Sequence, residues 1–421
     1  MPANLQPDTD LAAQLFDQLR TATADGLGVT RDAYGPGERK AHEIVRAAAD
    51  ALGLESRADH AGNLLMTLPG SDRSAKRIVM GSHLDSVKEG GNFDGAAGVL
   101  AGMAVLGGMA RAGFVPTRDI TVIAIRAEEA GQWFPTSYPG SHAALGTLPA
   151  SALDIARQDT GRSLADHMTA EGFDPAAVRA GTKSVSAADT AAYLELHIEQ
   201  GPVLDAEAVT VGIVTGIPGS RRYRTGRVVG EYNHSGATPR RYRRDAGIAL
   251  AELAAGLDDA WGELEQRGHQ MVCTFCVLGT TAEAGFTKIP GEALFQLDMR
   301  AVDPASLEAL DAVLHRLAAQ IEARRNVHIQ LGPVSGSKPS PMDAEIQAGL
   351  LRAAEAAGVR HISMASGGGH DAAAFAQAGI PAGMLFVRNQ NGSHNPYEAM
   401  RREDFDAACD VMLRWAMETA G

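Results

Sequence analysis

The sequence predicts an α/β protein with a mainly parallel central sheet and a second, smaller α+β unit inserted in the middle of the chain. Three observations predict it. Helical and β-type patterns alternate along the first half, which is the signature of a parallel sheet covered by helices. Two polar and charged clusters, 81–94 and 128–133, fall where strands end, the place where open α/β sheets bind ligands. At about Gly212 the character changes to two helices and about four strands within roughly 120 residues, enough for a compact unit of its own. At 421 residues the chain exceeds one ordinary core and suits two domains of ~100–200 residues. The expected division is 1–211 with 332–421 as one discontinuous domain and 212–331 as the insert.

Taken in order, residues 9–24 and 37–53 carry apolar positions at helical spacing, the second ending at Gly53. Short β-type runs follow at 63–68 and 77–83, then a small-residue helix from about 95 to 112 and the β-branched run ITVIAI at 120–125. Another strand is expected at 191–197. The insert reads as strand 222–229, helix 245–267, strands 270–278 and 293–300, helix 304–325 and strand 327–331. Beyond residue 338 come a helix at 344–357, a glycine-rich turn at 366–369, a helix at 371–379 and a strand at 382–387.

Composition removes several function classes. With 45% hydrophobic and 21% charged residues the chain lies in the globular range. Against 38 Lys and Arg stand 51 Asp and Glu, a formal charge of -13, so neither nucleic acid nor an anionic membrane is an expected partner. No segment approaches ~18 uninterrupted apolar residues. The opening MPANLQPDTD has neither basic residues nor an apolar core, and three cysteines fit a reducing compartment, so a cytoplasmic setting is expected. Cys273 and Cys276 form a CxxC, but an odd separation within an apolar run points the thiols to opposite strand faces, which is packing rather than metal binding.

The residues that carry chemistry cluster at strand ends. In HLDSVKEGGNFDG, His83 and Asp85 project to the same side, so the carboxylate can fix the imidazole tautomer. Asp94, in a glycine-rich loop before a helix, can bridge two cations or merely cap that helix. Adjacent Glu128 and Glu129 follow the most hydrophobic strand. Two carboxylates there are costly without compensating positive charge, which a metal would supply, leaving one Glu as ligand and its neighbour as general base; the alternative is a solvated acidic strand end. His197 in ELHIEQGP and His394 in GSHNP complete a possible N/O set of His83, Asp94, Glu129, His197 and His394, suited to zinc or another first-row divalent ion. Eight arginines between Arg221 and Arg244 read either as a positive rim for an anionic substrate or as a solvated, ion-paired face.

In this order, HLDSVKEGGNFDG, the EE pair, ELHIEQGPVLD, NHSGATP with RRDA, KIPGEALFQLDMR, SGGGHDAAAFA and GSHNPYEAM resemble the zinc-dependent N-carbamoyl-L-amino acid amidohydrolases and allantoate amidohydrolases. These belong to the superfamily of two-metal aminoacylases and carboxypeptidase-G-type exopeptidases. The resemblance covers about residues 37–410. It implies an exopeptidase-like catalytic domain and an inserted ferredoxin-like dimerisation or lid domain, and two divalent ions per subunit, zinc or else manganese, cobalt or nickel. His83 and His197 would hold one ion, Glu129 and His394 the other, with Asp94 bridging. Glu128 would be the general base acting with a metal-bound hydroxide, and Asp85 the residue that orients His83. It further implies His234 as an oxyanion donor arriving from the partner subunit of a homodimer. Gln200 and Arg300 match positions that hold the substrate's polar groups and carboxylate.

The chain departs from the family's pattern at Thr287-Lys288, where an Asn usually stands, at Arg240, in the loop 130–135 and at 388–391. Thr287 is therefore the residue expected at an altered substrate contact. These departures concern the substrate shell and leave the metal positions intact. The activity implied is hydrolysis of a C–N bond in an anionic ureido or amide acid. Two alternatives are an N-acyl amino acid hydrolase or dipeptidase of the same superfamily, and a non-catalytic small-ligand binding protein. The retained EE pair argues against the second.

Overall fold

The computed structural model describes residues 5–421; residues 1–4, part of the stretch read for a leader, lie outside the described residues. Two compact units are present, Met1–Thr215 with Pro341–Gly421 and Gly216–Ser340. The insert thus begins after 212 and ends after 331. Val211–Val214 is a strand of the large sheet, and Val334–Ser337 is a strand of the small one.

The first unit is built on an eight-stranded sheet in the order His361–Met364, Val211–Val214, Ala382–Val387, Thr190–Ile198, Arg77–His83, Ile120–Ile125, Leu64–Leu68, Glu55–Ala58. The middle four strands are mutually parallel. Every residue of Ile120–Ile125 is buried, as expected for a central strand covered on both faces. The helix Ala96–Arg111 is buried nearly all round, and its small residues permit that. A Cβ on Gly98 would lie 2.1 Å from the Leu196 carbonyl oxygen. The C-terminal helix Arg402–Ala420 seats Phe405, Met412 and Trp415 in the same core.

The second unit runs strand Gly219–Val229, helix Ala246–Gln266, strands Val272–Thr280 and Glu292–Ala301, helix Pro304–Arg325 and strand His328–Gln330. The sheet order places the first and third of these strands in the centre, all pairs antiparallel. This β-α-β-β-α-β succession is the ferredoxin-like arrangement. Glu292–Ala301 alternates buried and less buried positions, sending Phe295, Leu297 and Met299 into a core with Leu250, Leu253, Leu310 and Leu314 from the two helices. Cys273 is half-buried and Cys276 exposed, with a bulge between Phe275 and Val277.

Candidate metal centre

Four neighbouring parallel strands deliver the site. Arg77–His83 ends on His83, Thr190–Ile198 carries His197 at its penultimate position, Ile120–Ile125 leads into Glu128 and Glu129, and Ala382–Val387 leads into the loop bearing His394. All four therefore present their side chains at the carboxyl edge of the sheet. Asp94 precedes the helix Ala96–Arg111, but Gly95 is that helix's cap residue. The capping alternative for Asp94 is thereby set aside, and its carboxylate is free to face the histidines. Gly95 has a φ of +65, and a Cβ there would meet the His83 ring at 2.3 Å. The loop thus needs glycine both for its backbone and for room.

The donor atoms are spaced for a cation. His197 Nε2 lies 3.4 Å from His83 Nε2 and 3.2 Å from Asp94 Oδ1, and His83 Nε2 lies 3.6 Å from the same oxygen. A tetrahedral ion with ligands at about 2.0–2.1 Å sets its donors about 3.3–3.4 Å apart. The far nitrogens fix the tautomers: His83 Nδ1 faces the Asp85 backbone carbonyl at 3.1 Å, and His197 Nδ1 faces the Ile198 carbonyl at 2.9 Å. Each carbonyl requires the proton on Nδ1, so both Nε2 lone pairs point at Asp94 Oδ1, a buried oxygen without a hydrogen-bond partner. Three acceptors facing one another is an arrangement that a cation satisfies. A second group joins Asp94, Glu129 and His394, with His394 Nε2 at 2.7 Å from Glu129 Oε1 and 3.5 Å from Asp94 Oδ2.

Electrostatics point the same way. Burial works against charge on the His83 imidazole, yet Glu128, Asp85 and Asp94 outweigh it and carry its pKa well above the ordinary value. The hydrogen bond with Glu129 raises His394 to about 9. Burial, and then the neighbouring Glu129, Asp371 and Asp85, push the Glu128 carboxyl well up despite His83. The pocket is short of positive charge, and takes protons where no metal is bound.

Asp85 does more than sit behind His83. Its Oδ1 accepts from the Glu128 N–H at 3.0 Å and its Oδ2 from the Glu129 N–H at 2.9 Å, while Oδ1 is also 3.3 Å from His83 Nδ1. The preceding residue, Ala127, has a φ of 59, and its N–H donates to Glu38 Oε1 at 2.8 Å. Glu38 in turn is paired with Arg126 at 2.8 Å. Three consecutive amides are thus held by two buried carboxylates, and the strained turn aims Glu128 and Glu129.

Residues 79–418 match the family described as Peptidase family M20/M25/M40. The chain belongs to this family. It is 33% identical to the N-carbamoyl-L-amino-acid amidohydrolase of Paenarthrobacter aurescens over 94% of each chain. To the allantoate amidohydrolase of Escherichia coli K12 it is 32% identical, over 88% of each. A crystal structure of a hydantoinase/carbamoylase family amidase from Burkholderia ambifaria superposes with a TM-score of 0.88 at 30% identity, covering 99% of this chain and 97% of that one.

Within this M20 chain the remaining expected site residues fall as follows. Gln200, with a φ of 64, donates from Nε2 to Asp94 Oδ2 at 2.8 Å. His234, Thr287 and Arg300 belong to the second unit. His234 is exposed, and its Nδ1 accepts the N–H groups of Gly236 and Ala237, both at 3.1 Å, which leaves the ring proton on Nε2. Thr287 lies beside it, its carbonyl accepting the Ser235 N–H at 2.9 Å. Arg300 donates from Nε and NH2 to Asp298 Oδ2 at 3.0 and 2.9 Å, and Asp298 Oδ1 takes Arg222.

Several residues of the site escaped the sequence reading. Glu398 Oε1 accepts the N–H groups of Phe93 and Asp94 at 2.9 and 3.1 Å, and its Oε2 accepts the Ser393 hydroxyl at 2.9 Å. The same hydroxyl contacts Asp94 Oδ2. One carboxylate therefore ties the Asp94 loop to the His394 loop. Buried Arg31 donates to the Leu84 carbonyl at 2.7 Å and to Asn92 Oδ1 at 3.2 Å, bracing the same loop from outside. Glu195, His197 and His370 form a further buried group, in which Glu195 takes Ser82 Oγ at 2.7 Å and the Ala372 N–H at 2.8 Å. Glu398 had a signal, being in the quoted GSHNPYEAM. Arg31, more than fifty residues from its partners, had none.

Proposed function

We propose that this M20 hydrolase cleaves the C–N bond of an N-carbamoyl (ureido) or related amide acid, using two divalent ions of the zinc, manganese, cobalt or nickel type. One observation carries the reading: two groups of His and carboxylate donors share Asp94, and Glu128 stands beside them with its carboxylate 3.9 Å from His83 Nε2. His83, Asp94 and His197 would hold one ion, and Asp94, Glu129 and His394 the other. Bound there, the ions would polarise the scissile carbonyl and lower the pKa of a water.

The chain's own residues do the rest. Glu128 takes a proton from the attacking water and returns it to the leaving nitrogen. His234 offers its Nε2 proton to the developing oxyanion. Asp85 keeps Glu128 and Glu129 aimed. Gln200, Thr287 and Arg300 contact the substrate's polar groups, the Arg300 fork being suited to a carboxylate. For a carbamoyl substrate the products are an amine-bearing acid, carbon dioxide and ammonia. A homodimer, with His234 serving the partner's site, is part of this reading. Its support is the edge strand Val272–Thr280, where Val272, Val277 and Leu278 are exposed, together with fully exposed Phe286. A cytoplasmic setting accords with the three free cysteines.

The test is a panel of carbamoyl, formyl, acetyl and diureido acids assayed for ammonia and amine after metal loading. Ammonia from ureido acids is expected; release of an organic acid alone would favour the N-acyl hydrolase reading. Glu128→Gln should keep metal and lose roughly 10²–10⁴-fold in turnover, whereas Glu129→Gln should lose metal as well. A Glu128→Gln variant of near wild-type rate would overturn the base assignment. Mixing inactive Glu128→Gln and His234→Ala chains should restore part of the activity. No recovery after verified subunit exchange would mean that His234 does not act across the dimer.

A further inference from the structure

The second unit holds an open cleft of about 860 Å³ whose lining carries six arginines and one carboxylate. Elsewhere in the arginine-rich segment three of the four arginines are ion-paired, Arg221 with Asp311, Arg222 with Asp298 and Arg227 with Glu292, and Arg224 donates to the Ser335 hydroxyl at 3.4 Å. The cleft is different. Its single carboxylate, Glu252, is shared between Arg324 and Arg325. Arg244 reaches Glu231 only at 3.9 Å, and Arg240, Arg241 and Arg243 form no ion pair among the described residues.

All of these side chains but Arg240 make a contact that restrains them. Arg243 donates to the Thr238 and Ser235 carbonyls at 2.9 and 2.5 Å. Asn326, with its amide oxygen turned toward Arg244, accepts from that guanidinium at 2.9 and 3.1 Å. Arg241 stacks over the Tyr242 ring at 4.7 Å. Arg324 and Arg325 sit in the last turn of Pro304–Arg325, where basic residues favour the helix dipole. That accounts for two of the six, and the backbone bonds of Arg243 and the Asn326 contact of Arg244 account for the placement of two more; Arg240 and Arg241 are left with no carboxylate partner and no contact that the fold requires.

We propose that this cleft is a binding site for a small polyanion bearing two or more carboxylate or phosphate groups. Guanidinium forks match planar oxyanions two bonds at a time, and restrained arginines lose little freedom on binding. A monoanion would leave most of the forks unpaired, and the cleft's volume is that of a small-molecule site. The net charge of -13 makes the chain as a whole repel such ligands, so binding depends on this local concentration of positive charge. The lining consists of second-unit residues alone; Arg240 also falls in the substrate shell that the family resemblance implies, so Arg324→Ala, outside that shell, is the variant that tests the cleft apart from the hydrolase reading.

The test is calorimetric titration of the metal-loaded protein at fixed ionic strength with propane-1,2,3-tricarboxylate and with fructose 1,6-bisphosphate, acetate serving as the monoanion. One saturable site per chain is expected for at least one polyanion, weakening with added salt. The arm that saturates identifies carboxylate or phosphate as the preferred group. Arg240→Ala with Arg241→Ala, both exposed and outside regular packing, should weaken binding about tenfold or more, as should Arg324→Ala. Arg352→Ala, whose partner Glu418 lies in the first unit, should leave it unchanged. Absence of saturable binding, or equal affinity in wild type and both cleft variants, would overturn the proposal. Equal affinity in the cleft variants would place any observed binding at the metals or another surface.

Discussion

Replacing Asp85 by Asn separates two roles for this side chain. If Asp85 only orients His83, Asn should be tolerated, because the Asp85 backbone carbonyl faces His83 Nδ1 at 3.1 Å and persists in the variant. The structure gives the carboxylate more to do, since its two oxygens accept the Glu128 and Glu129 amides at 3.0 and 2.9 Å. An Asn amide offers only one oxygen. Whichever way it turns, its NH2 meets a backbone N–H, leaving one buried donor unpaired at a cost of about 1–3 kcal/mol. Loss of such a supporting contact weakens metal binding about 10–100-fold, or about 1.4–2.7 kcal/mol at 1.36 kcal/mol per decade. The two ranges overlap, so a single unpaired amide, that of Glu128 or of Glu129, is enough to produce the expected loss. Metal affinity by competition with a chelator, and thermal melting of the metal-free protein, should both fall for Asp85→Asn, with turnover reduced even at saturating metal. Metal affinity within twofold of wild type together with an unchanged melt would refute the reasoning and return Asp85 to a role on His83 alone.

Two further outcomes follow from the same geometry. Glu398→Gln keeps an oxygen for the Phe93 and Asp94 amides and should retain metal, whereas Glu398→Ala should lose metal affinity about 10–100-fold; equal behaviour of the two variants would show that the carboxylate does not position Asp94. In the metal-free protein His394 holds its proton up to about pH 9, above its ordinary value of 6.5, so the contribution of its pairing to stability is full below 6.5 and lost as pH rises through 9. Its half-exposed ring keeps that contribution small. Metal must displace this proton, and those held on His83 and His197, whose pKa values are also raised, so uptake should release protons and apparent affinity should fall by at least about tenfold per unit as pH drops below 9. Calorimetry in buffers of different ionisation heat measures the release; uptake without it near pH 8 would contradict the assignment of His394.

The sequence was most legible where local pattern and tertiary demand agree. Arg77–His83, Ile120–Ile125 and Pro304–Arg325 occupy the residues their patterns predict, because continuous apolar runs and a helix with Pro at its first turn leave little choice. Val211–Val214 and His361–Met364 were not legible, since four residues each give too short a period to read. The helix Arg402–Ala420 did carry a signal: Phe405, Ala408, Met412, Trp415 and Ala416 recur at helical spacing, yet the expected elements stop at 387. At the site the Glu128–Glu129 pair was the residue-level signal, because two adjacent carboxylates at a buried strand end are costly otherwise, and the structure brings His83, Asp94, Glu129, His197 and His394 near one another as the sequence reading grouped them. The clamps were not legible. Glu38 sits in the first turn of Pro36–Ala51, where an acidic residue needs no further explanation, and only the fold brings it to the Ala127 amide.

The proposed metal positions are unequal, and the inequality has a direction. His83 and His197 are 1% exposed, their tautomers fixed by backbone carbonyls, and nearly the whole cradle is protein. The other group leans on His394, whose side chain is 51% exposed and whose backbone sits at a φ of 59. A closed cradle holds its ion through rigid donors; an open one leaves room for water and substrate. Asp94 couples the two, one oxygen on each side, and its placement depends on Glu398, Ser393 and Gln200. On the proposed mechanism substrate access belongs on the His394 side, which Glu129 shares, whereas Glu128 lies against the buried group, 3.9 Å from His83 Nε2. If Glu128 is the base that we propose, the proton it moves passes beside the buried histidines and not at the exposed His394 edge, and substitution of His83 should disturb that step as well as metal binding.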